Sequence, residues 1–219
     1  MKKFILVAAV IFLFAGNALA VPTIDGAIIG AEWSSGLILN GFDPDEGAIP
    51  NTHDIYRVAM IEETGGAGNG LYLLVALYGV PTFTAAPVLT DGLVIYGTRF
   101  DLNLDGDSTD AIDRYVTYSG PATGTISVYN GLGVAVGGAP TASMGSVVEM
   151  YVPSAMFGTF PTGGFNTFTF LDNGGEPVDD FIPDSGFNTT IPEPTSVSLL
   201  GLGLLSLIGG LVRRRKVTA

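Results

Sequence analysis

The residues best suited to chemistry lie in one run, Asp101-Leu102-Asn103-Leu104-Asp105-Gly106-Asp107-Ser108-Thr109-Asp110-Ala111-Ile112-Asp113. Oxygen donors at alternate positions, then a glycine that permits a sharp turn, suit a hard cation such as calcium, which gathers about six to eight oxygens in a flexible shell. Asp101, Asn103, Asp105 and Asp107 are the first candidate ligands, with the nearby Asp110 and Asp113 completing the set. The pattern departs from an EF-hand loop at its twelfth position, where Ile112 stands in place of a bidentate carboxylate, and no helical period flanks it. The alternative is a solvated acidic turn between two strands, for which Asp-Gly is itself a signal. Calcium held here would bind in the weak range of extracellular modules, about 10⁻⁴ to 10⁻³ M.

Other chemistries are poorly supplied. The chain has no cysteine, which excludes a thiol nucleophile, a thiolate metal site and any disulfide. His53 is the only histidine, so a Ser-His-Asp triad would rest on it alone, near the start of a strand. Acids are abundant, but no spacing singles out a glycosidase-like pair. Gly145-Ser146 and Ser154-Ala155 lack a nucleophile-elbow pattern. Asn188-Thr189-Thr190 fits a glycosylation sequon, but in a bacterium it reads as polar spacer. The expectation is a protein that is not an enzyme.

The elements that must position these residues read as strands. Glycine and proline punctuate the chain every ten residues or so, and no helical period persists. In residues 54–62, Tyr56, Val58 and Met60 alternate with Arg57, Ala59 and Ile61, as in a half-exposed strand. Residues 71–78 are apolar on both faces, as in a central strand covered on both sides. The glycine-rich residues 65–70 would be the hairpin loop between them. Further strands are expected over 92–100, 114–119, 125–129, 147–152 and 167–171, with Ile126, Val128, Phe168 and Phe170 inward and a short helical turn at 154–157. Short strands at this spacing predict an all-β fold, an antiparallel β-sandwich over residues 21–172. Residues 173–190, acidic and rich in Gly, Pro and Ser, read as an extended spacer. Trp33 is expected in the core with its N–H bonded locally. Tyr115, Tyr118 and Tyr129 are candidates for an exposed face on which a sugar would stack.

Both ends read as processing segments. Met1-Lys2-Lys3, the apolar residues 4–15 and the small-x-small triplet ending in Ala18 and Ala20 predict a signal peptide over 1–20, exported through the Sec translocon and cleaved before Val21. At the other end, Pro192-Glu193-Pro194 is rigid and extended, because each proline fixes its own φ and disfavours helix in the residue before it. An uncharged, Leu- and Gly-rich run follows, a transmembrane helix over about 196–212 that is slightly short of the ~20 residues usual for a span. Arg213, Arg214, Arg215 and Lys216 then hold its far end on the cytoplasmic side.

This order over residues 191–219 closely resembles the PEP-CTERM sorting signal of Gram-negative bacteria. The resemblance implies an exosortase, a membrane-embedded cysteine peptidase, as partner, with this chain as its substrate. It also implies passage through the inner membrane to the cell surface or extracellular matrix, in company with exopolysaccharide or a biofilm. A permanent single-pass anchor would share the apolar run and the basic cluster but would not require the tripeptide.

Removing the processing segments changes the charge. Residues 21–192 hold three basic and twenty acidic side chains, a net charge of −17. Such a surface repels nucleic acid and anionic lipid and suits calcium or a neutral polymer. A second resemblance lies in this part. Thr23-Ile24-Asp25-Gly26, Gly30-Ala31-Glu32-Trp33, Gly70-Leu71-Tyr72-Leu73-Leu74-Val75-Ala76, the run from Asp101 and Val148-Glu149-Met150-Tyr151-Val152-Pro153-Ser154 are together similar to the family 9 carbohydrate-binding module and DOMON-like sandwiches. That implies a jelly-roll-like sandwich and, as the alternative function, binding of a specific glycan. Sugar-binding members hold their ligand between aromatic side chains, whereas this chain has the single tryptophan Trp33.

Overall fold

The computed structural model describes residues 21–34, 37–45, 47, 49, 51–63, 69–81, 94–119, 125–158, 164–172, 180–183 and 188–190. The expected signal peptide, the tripeptide Pro192 to Pro194, the apolar run and the basic cluster lie outside these residues. Among the described residues no helix is long and apolar enough to cross a membrane.

Among the described residues eleven strands form two antiparallel sheets: β1 (Leu37–Phe42), β2 (Ile55–Glu63), β3 (Gly70–Leu77), β4 (Ile95–Asp101), β5 (Arg114–Ser119), β6 (Thr125–Asn130), β7 (Thr141–Met144), β8 (Val148–Pro153), β9 (Phe165–Asp172), β10 (Asp180–Ile182) and β11 (Asn188–Thr190). The first sheet runs β1-β2-β3-β8-β7 and the second β10-β9-β4-β5-β6, with β11 also paired to β9. The expected helical turn is a 3₁₀ turn, Ser154–Met156. Pairing is local where hairpins permit it (β1 with β2, β2 with β3, β4 with β5, β5 with β6). It is long-range where β8 joins β3 and β9 joins β4.

The period-2 pattern explains the burial. Every residue of β3 is buried. Leu71, Leu73, Val75 and Leu77 face a main core with Val58, Met60, Val148, Met150 and Val152 from their own sheet and Tyr96, Phe100, Val116, Tyr118, Val128, Phe165 and Leu171 from the other. Tyr72, Leu74 and Ala76 point the opposite way, into a smaller cluster with Ala59, Ile61, Val147 and Trp33. The N-terminal segment carrying Trp33 therefore lids the outer face of the first sheet, which is why β3 shows no polar side.

Two expectations change. Phe168 and Phe170 do not face the core: Phe165, Thr167, Thr169 and Leu171 of β9 do, at 0–1% exposure. The buried threonines are tolerated because the Thr98 and Thr169 hydroxyls bond each other at 3.0 Å across β4 and β9. The stretch 173–190 is also more than a spacer, since β10 pairs with β9 at residues 169–171 and β11 pairs with it at 165–167, in series along one edge. Asp180 is buried, and its Oδ2 accepts the backbone N–H of Ile55 in β2, linking that edge to the other sheet.

Candidate functional site

The Asp101–Asp113 loop joins β4 to β5 and is organised by two carboxylates at 0% exposure. Asp101 Oδ1 accepts the N–H of Leu104 at 2.7 Å, and its Oδ2 accepts the N–H of Gly106 at 3.0 Å and Asn166 Nδ2 at 2.9 Å. Asp113 Oδ1 and Oδ2 accept the N–H groups of Leu102 and Asp110 at 2.9 and 2.8 Å. Burial pushes the Asp113 carboxyl above its usual range despite those donors.

Asn103, Asp105, Asp107 and Asp110 are exposed. Asn103 Nδ2 donates to both Asp105 Oδ2 and Asp110 Oδ2, at 2.8 and 2.9 Å, so these two carboxylates converge on one point. The backbone N–H of Asp107 and the Asn103 amide hold the Asp105 carboxyl below its usual range. Asp107 Oδ1 accepts from the backbone and hydroxyl of Thr109 at 2.9 and 3.0 Å. The six candidate ligands thus divide into two that shape the loop from inside and four on its surface. Among the described residues no three His, Asp or Glu side chains stand in the arrangement of a metal site.

Trp33 is buried as expected, but its partner is distant in sequence: Nε1–H donates to Glu149 Oε1 at 2.7 Å. Glu149 Oε2 accepts the N–H groups of Asp25 and Gly26 at 3.0 and 2.8 Å. Burial raises the pKa of this carboxyl, against the pull of its three donors. Neighbouring Glu32 also closes the N-terminal segment on itself, accepting the N–H groups of Ile29 and Thr23 at 2.6 and 3.2 Å. Sequence reasoning did not single out Glu149, although a lone charge within Val148-Glu149-Met150-Tyr151-Val152 was a signal.

Of the three tyrosines, Tyr118 lies in the core at 0% exposure and leaves the proposed face. Tyr115 and Tyr129 are neighbours at 6.1 Å on the outer side of the second sheet. They continue a row in which Tyr115 stacks on Phe170 at 5.7 Å, Phe170 meets Phe168 at 6.2 Å, and Phe168 meets Phe181 at 5.4 Å. Gly97 makes room for this row, since a Cβ there would strike the Phe170 ring. The Arg99 guanidinium lies over the Tyr115 ring at 5.3 Å, covering a face on which a sugar would stack. A different group, Phe42, Tyr56 and Tyr78, is 57%, 41% and 37% exposed, with neighbouring centroids 5.6 and 5.3 Å apart.

His53 is buried beside Thr52, 3.2 Å from its hydroxyl. A cavity of about 150 Å³ beside β6 is lined by apolar residues, Tyr129 and Ser127, without a carboxylate or histidine.

No curated protein and no solved structure matches the chain. A family model does match at the end of the last strand: residues 190–216 fit the PEP-CTERM protein-sorting motif. It begins at Thr190, the final residue of β11, and takes in Pro192, Glu193, Pro194 and the cluster Arg213, Arg214, Arg215. The chain therefore carries a PEP-CTERM sorting signal, which marks it as an exported protein targeted to an exosortase.

Proposed function

We propose that the chain is a non-enzymatic surface or extracellular-matrix protein, delivered by exosortase processing and associated with exopolysaccharide. The reading is carried by the sorting motif at residues 190–216, joined directly to an acidic all-β domain. The domain is the cargo and the tail its address. The burial of His53, the one histidine of the chain, supports a role without catalysis. Replacing Pro192 and Pro194 by alanine tests the delivery: full-length precursor should accumulate in the inner membrane, and unchanged release would refute it.

A second reading, glycan binding, is favoured by the exposed trio Phe42, Tyr56 and Tyr78. Tyr56→Ala should then abolish retardation in affinity electrophoresis through the native polysaccharide; equal migration of both proteins in gels with and without it ends this reading. For the Asp101–Asp113 loop we propose weak calcium binding, supported by the convergence of Asp105 and Asp110 on Asn103. A melting temperature that does not rise at millimolar calcium leaves only an acidic turn.

A further inference from the structure

We infer that the end of the sandwich from which β11 leads into the sorting signal is a lipid-facing surface. Apolar loop tips there rest in the bilayer interface while the precursor is tethered. The inference rests on the reading that the tail occupies the membrane.

Direction comes from register. β11 runs antiparallel to β9, so Thr190 lies opposite Phe165, the first residue of β9. The next residue of β9, Asn166, lies opposite Asp101, the last of β4. Arg114 begins β5 at this same level, beside Phe100, and lies opposite Asn130, the last residue of β6. The chain thus departs from the end of the sheet that carries the β4–β5 loop and the turn after β6. Five residues, 191–195, separate Thr190 from the apolar run that starts at about 196, a reach of at most about 20 Å. This end of the domain is therefore held within about 20 Å of the bilayer whenever the run is embedded.

That end carries four exposed large apolar side chains: Leu104 at 44%, Ile112 at 49%, Leu132 at 66% and Val134 at 60%. They sit on built loops. Leu104 has φ of 61°, a left-handed conformation uncommon for a bulky residue, and Asp101 accepts its N–H there. Asn130 Oδ1 accepts the N–H groups of Leu132 and Val134 at 3.1 and 2.8 Å. Gly131 N–H donates to the Asp113 carbonyl at 3.1 Å, and a Cβ on Gly131 would strike the backbone of Asp110, so the two loops are packed together. The tips need no further ordering to make contact.

Charge selects the lipid. Asp105, Asp107 and Asp110 are exposed on the same loop, while Arg114 is turned to the carbonyls of Met156, Ala111, Ile112 and Asp113. Anionic headgroups are repelled, and a zwitterionic interface fits. Aliphatic tips of this size bind weakly when free, but a short tether supplies an effective concentration in the millimolar range.

The absence of cysteine permits a direct test with the full chain reconstituted in phosphatidylcholine vesicles. An environment-sensitive fluorophore is placed at Leu132→Cys, at Val80→Cys beyond the opposite end of β3, and at Leu204→Cys in the tail. The label at position 132 should shift to the blue and be quenched about twofold more by shallow nitroxide lipids than the label at 80, with the contrast reduced when phosphatidylglycerol is added. Equal behaviour at 132 and 80, with position 204 deeply quenched, overturns this inference and leaves the tail reading intact. An unquenched position 204 refutes the tail reading and this one with it. A shift at 132 that requires added exosortase would identify a protein contact and overturn the lipid assignment.

Discussion

Glu149 joins the parts of the smaller core more than any other single residue. Its carboxylate receives Trp33 Nε1–H and the N–H groups of Asp25 and Gly26, tying the N-terminal segment to β8. Glu149→Ala would leave three donors without their acceptor, a cost of about 3 kcal/mol. For a domain of this size that lowers the melting temperature by roughly 6–12 °C. The same residue has a pH signature. Its folded pKa is raised above the ordinary 4.5, so below 4.5 it is protonated in both states. As pH rises past 4.5 the unfolded chain ionises first, and stability falls until the folded carboxyl ionises too. Asp113, raised from 3.8 by burial, acts in the same direction. Exposed Asp105, lowered from 3.8, acts oppositely, its contribution being lost as pH falls below that value. The melting temperature should therefore decline as pH rises above about 4.5, with Trp33 fluorescence as reporter, and Glu149→Gln should flatten the decline. A melting temperature that climbs through this window, or a slope unaffected by Glu149→Gln, contradicts the assignment. The burial of Trp33 was legible because a lone large aromatic has few places to go. Its partner was not, because the two lie 116 residues apart.

Among the elements, β10 and β11 alter the account most. β11 ends at Thr190 and the sorting motif begins there, so a single residue, Ile191, separates a paired strand from Pro192. A peptidase that grips an extended Pro-Glu-Pro segment must either work against the domain's edge or draw β11 away from β9. Inserting a Gly-Ser segment of about six residues between Thr190 and Ile191, enough for ~20 Å of reach, should raise the rate at which precursor is processed. A pulse-chase experiment showing an equal or slower rate would argue that β11 offers no resistance. Strands β2 and β6 are legible from alternation, and β3 from an apolar run on both faces bounded by glycine-rich turns. β10 and β11 were not, because acidic, proline-containing edge segments look like spacer until their partner is known. β1 was hidden by the Asn-Gly turn signal inside it, and β7 by the small residues of Thr-Ala-Ser-Met. In β9 the alternation was visible but its sense was reversed: two phenylalanines look inward-facing until Thr98 and Thr169 are seen bonded in the core.

At the scale of the whole molecule, an acidic sandwich without cysteine is joined to a signal that routes it out of the cell. Among the described residues two apolar clusters hold it together, one between the sheets and one beneath the N-terminal segment. The chain's functional address was legible because a processing enzyme reads it as linear sequence. The surface that the domain presents depends on register, and no run of residues spells that out. The most direct measurement is the intact mass of the exported protein from native cells, compared with cells lacking the exosortase. The account predicts a species that begins near Val21, ends near Pro192 to Pro194, and is absent from the deletion strain. A mass that still contains Arg213 to Lys216 in both strains would contradict it and make the chain a permanently anchored envelope protein.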